Sequence, residues 1–153
     1  MTSPLGDKFP LQYRKQFCDR HLKKGAVLRF IIDFTEPPKI KRLVVLGVNE
    51  RLGRVAVCVI NTEINPNVLR TKELRDLQLT LESHGRSYLD HDSYLDCSKI
   101  FERDLQFIRN KIIADMGVYL DQMSDVDIRS AEAKISSART IPAKLKKRYG
   151  FLL

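Results

Sequence analysis

Two short polar stretches carry most of the chemistry this chain offers. Lys41 and Arg42 stand at the mouth of an apolar run, residues 43–48, and Asn61 and Thr62 stand where the next run, residues 54–60, ends. A strand needs no cations at its mouth in order to fold, and charges placed there often only blunt an edge. Asn61-Thr62 ahead of Pro66 reads, alone, as a turn. The two stretches together say more. If the runs pair as a hairpin through Asn49-Glu50-Arg51-Leu52-Gly53, the start of the first lies beside the end of the second. Arg42 and Thr62 then meet at the open end. A planar guanidinium beside a hydroxyl suits a phosphodiester.

Other reactive residues point nowhere as sharply. The three histidines are His21, His84 and His91. His21 falls in the last turn of a helix, where a cation is favoured anyway, and His84 sits at a loop tip. No Gly-rich phosphate loop or His-Glu-x-x-His pair occurs. Residues 90–97, DHDSYLDC, hold several possible metal ligands. On a strand they separate, with His91, Ser93, Leu95 and Cys97 on one face and Asp90, Asp92, Tyr94 and Asp96 on the other. Leu95 and Cys97 face the core, which leaves the acids in water, so no metal site is expected. Cys18, Cys58 and Cys97 lack zinc or disulfide spacing and read as buried free thiols.

The elements that must position these residues follow from periodicity. Residues 11–24 have Leu11, Phe17, Cys18 and Leu22 at helical spacing, with cations in the last turn and Gly25 after it. Residues 26–34, 41–48 and 54–60 are short, β-branched and bounded by Pro, Gly and Asn, as strands are. Residues 77–82 alternate strictly and 92–100 less cleanly. From Phe101 through Leu105, Ile108 and Ile112 the period is helical again, with Gly117 as terminator. Ser124 is a good N-cap for a last helix whose Ile128, Ala131, Ile135 and Ala138 share a face, and Pro142 breaks it. Strands followed by helices predict a mainly β (α+β) fold, a small, strongly bent antiparallel sheet with helical additions. The expected organisation is a helical extension over 1–24, the sheet and its helix over 25–140, and a basic-then-apolar tail over 141–153.

Composition bounds the partners. The 153 residues suffice for one core, and 43% hydrophobic with 30% charged residues suits a globular chain. No apolar run is long enough to span a membrane and the first ten residues lack a signal-peptide core, so the expected location is cytoplasmic, with no membrane partner. The net charge of +8 attracts polyanions.

The stretch from Lys23 through Asn65 resembles the MazF/PemK-type endoribonuclease toxins of bacterial toxin–antitoxin systems. Those proteins open with Gly and a strand, pass an acidic or polar turn, enter a Val/Leu-rich strand through a Lys/Arg-Arg pair, and leave the next strand through a Thr/Ser motif. Gly25, Asp33, Lys41, Arg42 and Thr62 match this pattern. Residues 88–100 resemble the later family strand, and residues 116–135 its closing segment and helix. The chain departs in having Leu43 where a proline follows the arginine, Ile60-Asn61 before Thr62, and Asp96 and Ser98 around Cys97 in place of an Arg/Asp pair.

The resemblance implies an SH3-like barrel, usually a homodimer, that cleaves single-stranded RNA without metal or cofactor and is held by a cognate antitoxin protein. It makes Arg42 the phosphate clamp and transition-state stabiliser and Thr62 the group that orients the phosphate or 2′-OH. Lys41, Asp33, Asn61, His91 and Arg86 complete the expected substrate contacts, with Lys41, Asp33 and His91 open as general base. Two alternatives stand beside it. One is a catalytically inactive barrel that binds nucleic acid or a protein; the other is an assembly protein built on its C-terminal helices.

Overall fold

The computed structural model describes residues 9–33 and 37–151. Its elements are α1 (Leu11–His21), β1 (Ala26–Ile32), β2 (Lys39–Asn49), β3 (Arg54–Asn61), α2 (Lys72–Asp76), β4 (Gln78–Leu81), β5 (Ser93–Asp96), β6 (Phe101–Asp104), α3 (Leu105–Ala114), β7 (Tyr119–Gln122), α4 (Asp125–Ser137) and α5 (Ala143–Arg148). All seven strands join one antiparallel sheet in the order β4-β5-β3-β2-β1-β7. The outer edge of β3 is shared, β6 pairing with its start and β5 with its end. The sheet curls into a half-barrel with helices towards both ends of the chain, in keeping with the SH3-like expectation.

The central strands are apolar on both sides. Leu43, Val44, Val45 and Leu46 are all fully buried, because strand side chains alternate between two covered faces. Val44, Leu46, Cys58 and Leu95 pack with Ile128, Ala131 and Ile135 of α4 and with Ile141 and Phe151. Leu28, Leu43, Val45, Val55 and Val57 pack on the other face with Cys18 and Leu22 from the first helical region and Ile108 and Ile112 of α3. Each such aliphatic side chain stabilises the fold by about 1.5–3 kcal/mol relative to exposure. The three cysteines are free and buried.

Local chemistry sets the ends. The link after β2 turns through Gly53 at φ +64°, and Asn49 Oδ1 accepts from the Leu52 amide. Ser124 Oγ accepts the Asp127 amide at 3.2 Å and starts α4 as its sequence predicts. Pro142 stands at the N-cap of α5, so it opens a further helix beyond the end of α4 at Ser137.

Other boundaries differ from expectation. Residues 101–104 form β6 rather than the first helical turn, and α3 starts only after Asp104, whose carboxylate accepts the Phe107 amide at 3.0 Å. The 92–100 strand contracts to Ser93–Asp96, because Asp96 Oδ1 takes the Ser98 amide at 3.0 Å and turns the chain. The helix expected over 11–24 ends at His21. The end of the first strand at Phe34 lies outside the described residues, as do residues 1–8 of the N-terminal extension and residues 152–153 of the tail.

Candidate phosphate-binding site

The β2–β3 register puts Arg42 directly opposite Ile60, and Thr62 follows just past the end of β3 at Asn61. Arg42 and Thr62 line one cavity of about 260 Å³, with His91 and Ser93 delivered from the start of β5 and Lys39 and Ile40 from the start of β2. The hairpin therefore brings together the two ends that its sequence set beside each other. The approach of β5 adds the imidazole, through the pairs Ile60↔Leu95 and Asn61↔Tyr94.

Arg42 is held rather than loose. Its Nε donates to the Tyr88 carbonyl at 2.8 Å and its Nη2 to Asp90 Oδ2 at 2.8 Å. Its side chain is 25% exposed and that of Asp90 73%. Two fixed donors leave further N–H groups of the guanidinium for a ligand. A carboxylate already on the fork stands where an anionic substrate oxygen would compete.

Lys41 and Arg42 leave β2 on opposite faces, as consecutive strand residues do: Arg42 lies on the face of Val44 and Lys41 on that of Leu43, whose side chains belong to different core clusters. Lys41 borders the cavity, yet its ammonium donates to Asn61 Oδ1 at 2.8 Å. Burial, and then the neighbouring Lys39 charge, lower its pKa below the usual lysine value.

The remaining expected contacts lie elsewhere. Asp33 is 87% exposed and lies 3.8 Å from Arg103, away from the cavity residues. Arg86 lines a separate cavity and binds Asp127 with both arms, at 2.8 and 2.9 Å. That hydrogen bonding holds the Asp127 carboxyl below its ordinary pKa. His21 Nδ1 lies 2.9 Å from the Phe17 carbonyl and its ring packs on Phe17 and Tyr119, a structural setting. Sequence reasoning did not foresee Asp90 as the partner of Arg42, since the loop carrying it is far away in sequence.

No protein-family profile matches the chain, and no curated protein does. Among solved structures it is similar to the MazE–MazF complex from Deinococcus radiodurans, at 12% identity and a TM-score of 0.48, over 76% of this chain and 94% of that one. A likeness of that degree concerns the course of the backbone and carries nothing about the site. No described helix is long and apolar enough to cross a membrane.

Proposed function

We propose that this chain is a single-stranded-RNA endoribonuclease working at the Arg42 cavity, as the toxin of a toxin–antitoxin pair. The observation that carries the reading is that Arg42, Thr62 and His91 line one small cavity at the open end of the β2–β3 hairpin. The sequence resemblance supports the toxin role, the antitoxin partner and the homodimer.

In this reading the ribose 2′-OH of the substrate attacks the adjacent phosphorus, and the bond to the 5′-oxygen of the next nucleotide breaks. His91 takes the 2′-OH proton, and solvent protonates the departing 5′-oxygen. The products are a 2′,3′-cyclic phosphate and a 5′-OH. Arg42 neutralises charge building on the phosphoryl oxygens, and Thr62 orients one of them. The nucleophile is already part of the substrate, so alignment replaces activation of water, and no metal is required by the chemistry. Of the three base candidates, His91 fits best, because Lys41 is committed to Asn61 and Asp33 sits beside Arg103.

The test is incubation of the purified protein with mixed single-stranded RNA in excess EDTA. Fragments ending in 2′,3′-cyclic phosphate are expected, and intact RNA overturns the proposal. The Arg42–Asp90 ion pair favours one second reading, a barrel that binds RNA without cutting it. Binding with no cleavage would select that reading.

A further inference from the structure

The face of the sheet that carries Arg42 continues onto β1. The β1–β2 ladder pairs Val27 with Val44, Arg29 with Arg42, and Ile31 with Ile40 on that face. The first pair is buried in the core, and the last is exposed, Ile31 by 60% and Ile40 by 54%. Between them two arginines stand directly opposite one another. Arg29 is exposed, and its side chain makes no hydrogen bond or ion pair among the described residues. Like charges directly opposite across an antiparallel pair destabilise it. Asp90 offsets one of the two charges and leaves the other.

The surroundings leave this stretch open. Strand β7 pairs with β1 only at Ala26–Leu28, so the outer edge beside residues 29–32 meets no strand among the described residues. Nothing in that strand pairing blocks a chain that runs from the Arg42 cavity across β2 and β1. Along the two strands the side chains of this face change from cationic, Arg29 and Arg42, to apolar, Ile31 and Ile40, which suits a nucleotide, with its anionic phosphate and its flat base.

We infer that Arg29 and Arg42 form a two-arginine phosphate site, with Ile31 and Ile40 as the apolar floor for the adjoining base. This rests on the reading of the Arg42 cavity as a phosphodiester site and assigns the substrate strand its path from β2 towards β1. Cross-strand neighbours have Cβ atoms about 4.5–5.5 Å apart, close enough for two forks to share one phosphate or to hold successive ones. An anion bound there removes the repulsion between them, so Arg29 weakens the free fold and strengthens the complex.

That opposition of signs makes the test specific. A single-stranded 2′-deoxy oligonucleotide, which cannot be cleaved by 2′-OH attack, is titrated against salt with the wild type, Arg29→Thr, Arg29→Lys and Arg42→Ala, and thermal unfolding is followed for each. The expected result for Arg29→Thr is binding weakened about tenfold, a log–log salt slope reduced by about 0.7, and a Tm equal to or above wild type. Arg29→Lys keeps most of the slope. If Arg42→Ala loses binding while Arg29→Thr keeps the wild-type affinity and slope, the two-arginine site is wrong and the Arg42 cavity stands. A fall in Tm for Arg29→Thr that matches its loss of binding also overturns the site, because Arg29 would then be structural. A wild type that neither binds the oligonucleotide nor cuts RNA removes the Arg42 reading and this inference with it.

Discussion

The Lys41 ammonium donates to the Asn61 side chain at 2.8 Å, on the face of β2 opposite the one that Arg42 shares with Val44. Two cations adjacent in the chain therefore sit in different settings, and different effects are expected on removing them. Arg42→Ala should lower RNA cleavage by about 10²-fold or more, roughly 2.7 kcal/mol of lost charge stabilisation. Arg42→Lys should lose activity too, since an ammonium cannot reproduce the planar fork. Lys41→Ala should cost less than about tenfold, as expected for a lost surface contact. Single-turnover rates on one defined RNA separate the cases, and equal losses at both positions would place both cations on the substrate.

His91 is assigned proton transfer, so its removal should act on rate more than on binding. His91→Ala should lower kcat by about 10²- to 10⁴-fold and leave affinity for a 2′-deoxy oligonucleotide within about twofold of wild type. A variant with the full rate would return the base to an unassigned group.

The Arg86–Asp127 pair predicts acid sensitivity of the fold. The hydrogen bonds from Arg86 lower the Asp127 pKa in the folded state, while the unfolded carboxyl titrates near its ordinary value of about 3.9. The unfolded chain therefore binds the proton more readily. The stabilisation is present in full above that value and is lost as pH falls through the lower folded-state value. Tm measured from pH 7 down to pH 3 should fall less steeply at its acid end in Asp127→Asn than in wild type, from a lower starting point. Identical acid limbs would show that the pair contributes nothing to the pH response.

Gly25 is required by space as well as by backbone. Its φ is +95°, and an added Cβ would lie 2.7 Å from both Gln122 Nε2 and Ile128 Cδ1. Its amide and carbonyl also tie β2 to β7, through Val45 at 2.6 Å and Met123 at 2.7 Å. Gly25→Ala should destabilise by about 1–3 kcal/mol, lowering Tm by about 2–4 °C per kcal/mol. An unchanged Tm would mean that the turn relaxes freely.

What was legible followed from the local code. The β-branched runs and Gly53 define the β2–β3 hairpin, and Ser124 marks the start of α4. The meeting of Arg42 and Thr62 on one cavity follows from hairpin geometry alone. Residues 101–104 misled because Phe101 and Leu105 keep helical spacing while tertiary pairing with Arg54–Val57 makes them a strand. Asp104 was the available signal, a capping residue placed where the helix begins. Tyr119–Gln122 was too short to announce itself. The ion pair Arg42–Asp90 and the bidentate Arg86–Asp127 pair join residues 48 and 41 positions apart, beyond any sequence period.

Burial of β2 on both faces has a consequence for how the sheet finds its alignment. Where one face of a strand is polar, a slip by one residue exposes the apolar set and corrects itself. Leu43, Val44, Val45 and Leu46 offer no such penalty, since either side of the strand meets a core. Alternation between the two faces therefore does not choose the register of this stretch. Gly47 is placed to do so: the Tyr149 ring lies where its Cβ would be, 2.6 Å from Cδ1. A slip in either direction presents Leu46 or Val48 to that ring. The aromatic from the far end of the chain thus proofreads the middle of the sheet, and Gly47→Ala should populate misaligned, slowly refolding molecules as well as lowering Tm.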